Sequence, residues 1–87
     1  MKRTLFEKQP VYRKICILVN TGTLIFEYKL KGVMHSLYAL DLYFVEVIST
    51  GSITPKIERI ILFTSGERLN HYARLFSDEL LKLKNKN

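Results

Sequence analysis

Few side chains in this sequence are of the types that carry covalent or metal chemistry, and their spacing limits what each can do. Cys16, His35 and His71 are the candidates for nucleophile, acid–base or ligand roles. His71 lies four residues after Glu67, one helical turn, a spacing that lets a carboxylate orient an imidazole for proton transfer. No nucleophile or second base stands beside the pair in sequence, so both are expected on the solvent face of an amphipathic helix. Cys16 falls in the apolar run Ile15–Val19, where a strand would bury it as a small hydrophobe; a reactive thiol needs exposure and nearby positive charge. His35, close behind Gly32, reads as an exposed turn residue without a role. One cysteine and two histidines fall short of the about four N or S ligands that hold zinc. No metal and no cofactor are expected. The glycines, Gly22, Gly32, Gly51 and Gly66, are scattered over turns and build no phosphate loop. Gly66 could admit an anion to a first helical turn, but Glu67 beside it repels one.

Five tyrosines and five phenylalanines raise the question of base stacking. Stacking needs exposed aromatics interleaved with basic residues. Phe26 and Tyr28 instead alternate in phase with Leu24 and Leu30, which marks a buried strand face. The net charge of +6 asks the same question, and its location answers it. The excess sits at the ends, on Lys2, Arg3, Lys8, Arg13 and Lys14 and again on Lys82, Lys84 and Lys86, while the body between is nearly balanced. Terminal basic segments of this kind could contact phosphates, but they do not form a charged groove on the fold.

The elements that must position these residues form one small domain over 1–87, with residues 1–9 as a flexible basic arm and 84–87 as a frayed basic tail. An apolar fraction of 47% supplies a core, and a charged fraction of 25% is ordinary for a soluble protein. The lone cysteine excludes an internal disulfide. Glu7, Lys8, Gln9 and Pro10 stand where a signal peptide would be apolar, and no apolar run approaches the roughly 20 residues of a membrane span. A cytoplasmic protein without a membrane role is expected.

Val11–Val19, rich in β-branched and aromatic residues, reads as a strand. Asn20-Thr21-Gly22-Thr23 reads as its turn, with Gly22 free to take positive φ, and the alternating segment Thr23–Leu30 as the partner strand. Ser36–Ser49 is long for one strand and bends near Asp41. Thr50–Pro55 is a loop, and Ile57–Phe63 is the last strand. Thr64 and Glu67 fit a capping box that opens a helix with the core stripe Leu69, Tyr72, Ala73, Phe76, Leu80 and Leu83. Short connections imply antiparallel neighbours. The predicted fold is α+β: a single antiparallel meander of four strands, or five if 36–49 breaks, with one C-terminal amphipathic helix on one face.

The run Tyr43-Phe44-Val45-Glu46-Val47, then Ile57, Ile60 and Phe63, then Ser65-Gly66 with Leu69 and Tyr72, resembles small bacterial proteins that share a strand–turn–strand–helix ending. The resemblance covers about residues 38–72. It implies the fold of that half and no activity.

One helix cannot cover both sides of a sheet that is apolar on both. The surplus apolar positions, Ile15, Ile17, Ile25, Tyr43, Val45, Ile61, Leu75 and Leu81, form the expected interface, the alternative being that the N-terminal arm or loop 31–36 wraps over them. The functional expectation is a non-enzymatic protein–protein interaction module, homodimeric or bound to another protein through the uncovered face. The alternative is a nucleic-acid-associated protein using its basic ends. A small hydrolase or nuclease built on Glu67 and His71 is the third class.

Overall fold

The computed structural model describes residues 1–51 and 53–84, with side chains described through residue 78 apart from Ser52. The chain runs α1 (Arg3–Glu7), α2 (Val11–Thr21), β1 (Thr23–Leu30), β2 (Val33–Leu40), β3 (Tyr43–Thr50), β4 (Lys56–Phe63) and α3 (Glu67–Lys84). The strands form one antiparallel sheet in the order β1-β2-β3-β4. The α+β class, the four-stranded meander and the C-terminal helix are as the sequence predicts.

Val11–Val19 is the main departure. It is helix α2, not a strand, so the expected first hairpin does not exist and β1 pairs with β2. Pro10 stands at the helix N-cap, and its carbonyl accepts from the Arg13 and Lys14 N–H groups. Proline fits a helix start because it has no N–H to leave unpaired. Ile15 and Leu18, three residues apart, face the sheet with Ile17 beside them. That packing overrides the weak strand preference of the β-branched residues. Gly22 has φ −82, so it does not supply a left-handed turn; a Cβ there would meet the Leu18 carbonyl oxygen at 2.8 Å.

The bend expected at Asp41 is a two-residue hairpin with Asp41 at φ +53, which divides 36–49 between β2 and β3. Lys31 and Gly32, at φ +51 and +79, make the preceding two-residue hairpin. Asp and Gly tolerate the left-handed region that such turns need.

Both faces of the sheet are covered. On one face Phe6 of α1 and Leu18 of α2 pack with Leu40, Tyr43, Val45 and Val47. The segment read as a basic arm contributes a helix and the fully buried Phe6. The Tyr43 hydroxyl donates to the Met1 carbonyl at 2.8 Å, and Arg3 donates to Glu7 and to the Leu62 carbonyl. On the other face Tyr72 and Leu69 of α3 pack on Leu37, Phe63, Phe26, Tyr28, Phe44 and Ile61. α3 starts at Glu67, with the Gly66 carbonyl accepting from the Asn70 N–H. The Thr64 capping box does not form, because the helix opens two residues later than that box requires. Ala73 and Phe76 are exposed; Leu80 and Leu83 lie outside the described side chains.

Candidate functional site

The densest polar constellation centres on a β3 glutamate for which the sequence predicts no role. Glu46 lies mid-β3 and faces α3, in phase with Phe44 and Ile48, and is 2% exposed. Its carboxylate accepts from the Tyr72 hydroxyl and from Arg68 Nη1, and His35 Nδ1 lies 3.3 Å from its second oxygen. Strand register makes the His35 contact: Leu37 stands opposite Glu46, so His35 projects on the same face two residues along β2. Helix spacing makes the other two, because Arg68 and Tyr72 are four residues apart on α3.

Tyr28 extends the cluster outward. Its ring stacks on His35 with centroids 4.5 Å apart, and its hydroxyl shares a 3.3 Å hydrogen bond with His71 Nε2. Burial, then the hydrogen bond to Glu46, pushes the Tyr72 phenol far above its ordinary value. Burial and the charge of Glu46 push Tyr28 in the same direction. Both phenols therefore hold their protons more tightly than a free tyrosine, and that of Tyr72 donates to Glu46.

This arrangement corrects one expectation and gives a second residue a partner. His35 is not an exposed turn residue; it lies in β2, half-buried against Glu46 and Tyr28. His71 does stand on the outer side of α3, but its partner is Tyr28 and not Glu67. A charged residue inside an otherwise apolar strand run, Tyr43–Ile48, was the signal that could have singled out Glu46. Chemically the network is closed. Three donors occupy the carboxylate, and among the described residues no buried side-chain N or O atom lacks a partner. Among those residues no group of three His, Cys, Asp or Glu is placed to hold a metal ion, and no helix is long and apolar enough to cross a membrane.

Cys16 is exposed, because α2 turns it away from the sheet. It lies with Tyr12, Arg13, Ile17, Asn20 and Thr21 along an open groove of about 440 Å³. Tyr12, Cys16 and Val19, at helical spacings of 4 and 3, form a second stripe opposite Leu18; Tyr12 is 70% exposed.

The residues expected to form one interface do not share a surface. Tyr43 and Val45 are buried under α1 and α2, with Ile15 and Ile17 packed against them from α2. Ile61 packs on the opposite face under α3, and Leu75 is half-buried on that helix. Ile25 alone among them is an exposed β1 residue, and the Leu81 side chain lies outside the described residues. Of the expected phosphate contacts, Arg3 is tied to Glu7 and to the β4 backbone, and Lys14 Nζ lies 5.9 Å from the Phe6 ring centroid. Lys2, Lys8 and Arg13 are exposed, whereas the side chains of Lys82, Lys84 and Lys86 fall outside the described residues.

The unsatisfied surface lies at an edge and not on a face. β1 is a terminal strand of the sheet, eight residues long, with Leu24 48%, Ile25 42% and Leu30 57% exposed. The opposite edge, β4, carries Lys56, Glu58 and Arg59 as β1 carries Glu27 and Lys29, and it is also covered in part by Arg3, which binds its Leu62 carbonyl. Charged side chains and covering groups are the usual ways to keep an edge from pairing. β1 has a bulge at Ile25, where the register shifts between Leu24 and Phe26. Compared with protein-family models, with curated proteins and with solved structures, the chain matches none.

Proposed function

We propose that this protein is a non-enzymatic interaction module that self-associates through its β1 edge. The observation that carries the reading is the open edge strand with exposed Leu24, Ile25 and Leu30. An exposed edge presents unpaired backbone N–H and C=O groups together with apolar side chains, and another strand satisfies both. The outward stripe Tyr12, Cys16 and Val19 on α2, joined to β1 through Gly22 alone, adds apolar surface to the same part of the chain. A structural role for the polar cluster fits this reading, since Glu46, Arg68, Tyr72 and His35 satisfy one another beneath α3.

Sedimentation equilibrium tests the proposal. The native chain is expected to associate reversibly, and Leu30→Lys and Ile25→Lys, which place a charge on the edge, are expected to shift it to monomer with an unchanged circular dichroism spectrum. A native chain that stays monomeric at its highest soluble concentration refutes the proposal.

A further inference from the structure

We infer that the occupant of the β1 edge is the β1 strand of a second copy, paired antiparallel about a two-fold axis at Tyr28. The inference deepens the self-association reading and rests on it. Two structural features delimit the usable strand. The bulge at Ile25 interrupts one end, and the Lys31–Gly32 hairpin closes the other, which leaves Phe26–Leu30 as a regular stretch with Tyr28 at its midpoint.

Two identical strands pairing about a two-fold axis must be self-complementary. Centring the axis on Tyr28 sets Glu27 opposite the partner's Lys29, and Lys29 opposite the partner's Glu27. These side chains share the α2 face of the sheet, and both are exposed. On the α3 face the same register sets Phe26 opposite Leu30 in both directions and Tyr28 opposite itself. Residues directly opposite in an antiparallel pair point to the same face, so apolar meets apolar and acid meets base throughout.

Neighbouring registers fail on charge. Moving the axis one residue back, to Glu27, sets two glutamates against each other. Moving it one residue forward, to Lys29, sets two lysines against each other. Like charges directly opposite are destabilising; the Glu27-centred register also sets Lys29 against the bulged Ile25, and the Lys29-centred one offers Glu27 only Lys31, which lies in the hairpin turn at φ +51 and outside the strand. The pattern Phe-Glu-Tyr-Lys-Leu therefore specifies one alignment, and pairing in it joins two four-stranded sheets into one continuous sheet. Within the chain Glu27 accepts a hydrogen bond from Ser36 Oγ of β2 at 2.8 Å, so one carboxylate oxygen is engaged on the inner side and the other is left for the partner's Lys29.

Charge reversal with rescue is the test, read by sedimentation equilibrium on the full-length chain. Glu27→Lys alone and Lys29→Glu alone each turn both cross-strand pairs into like-charge contacts, and each is expected to weaken the dimer about tenfold or more. The double variant Glu27→Lys/Lys29→Glu restores opposite charges and should return the dissociation constant to within about threefold of the native one. Circular dichroism on each variant separates lost pairing from lost folding. A dimer that neither reversal weakens, or that the double variant fails to rescue, overturns the Tyr28-centred pairing while leaving self-association standing. A monomeric native chain overturns both.

Discussion

Glu46 shows how one residue can dominate a small core. A carboxylate out of water is costly unless its charge is paired and its lone pairs are filled, and here Arg68, Tyr72 and His35 do both. Glu46→Ala leaves the buried Tyr72 hydroxyl and the half-buried His35 without their acceptor, while Arg68, 38% exposed, turns to water, and it is expected to cost about 2–4 kcal/mol in urea unfolding. Tyr72→Phe removes one donor and should cost about 1–3 kcal/mol. The second variant also carries a pH signature. The Tyr72 phenol lies above its ordinary value of 10.0 in the folded protein, chiefly through burial. The folded state therefore holds this proton where the unfolded chain releases it. Its contribution is whole below pH 10.0 and declines as the pH rises beyond that. Tyr72→Phe should consequently flatten the loss of stability above that pH, as measured by urea midpoints at several alkaline pH values. An unchanged alkaline slope would show that Tyr72 does not titrate with unfolding. None of this network could be assembled from sequence, because its members lie on β2, β3 and α3. Only their relative register brings them together.

At the scale of elements, what could be read depended on whether local pattern and tertiary packing agreed. Thr23–Leu30 alternates cleanly and is a strand. Asp41 interrupts an apolar stretch and is a turn. The apolar face of Leu69 and Tyr72 recurs at helical spacing and is a helix. Val11–Val19 misleads because its β-branched residues suit a strand, while its burial pattern has helical spacing that only the sheet beneath it makes decisive. Pro10 was the available clue, since a proline before an apolar run fits a helix start as well as it fits the end of an arm. Gly22 follows from the same change. With α2 helical, the chain must pass from its last turn directly into β1, and the Gly22 N–H donates to the Leu18 carbonyl at 2.9 Å. A methyl group at position 22 collides with that carbonyl. Gly22→Ala should therefore destabilise the protein by about 1–3 kcal/mol, although alanine normally gains stability over glycine in regular structure. Chemical denaturation checks the sign. A stabilised variant would mean that the α2–β1 junction relaxes without cost.

For the molecule as a whole, the surplus of apolar positions was legible in the sequence, but its place was not. With Val11–Val19 as a strand one sheet face would be bare; as helix α2 it covers that face, and apolar side chains stay exposed on β1 and the outer side of α2, besides Phe76 on α3 and Leu42 and Ile53 in loops. A domain of 87 residues buries a modest fraction of its surface and has little stability to spare, so association at that edge should also be visible as added stability. Binding that involves only the folded state raises the unfolding midpoint with protein concentration. The native chain is therefore expected to melt at a temperature that climbs with concentration over the range where it dimerises. Glu27→Lys should melt at a concentration-independent temperature over the same range, because its edges repel. Calorimetry at several concentrations distinguishes this from a purely local effect of the substitution, which would displace both melting curves without altering their dependence on concentration. If the native melting temperature ignored concentration throughout the dimerising range, the edge contact would contribute nothing to the folded state. Pairing through β1 would then have lost its energetic basis.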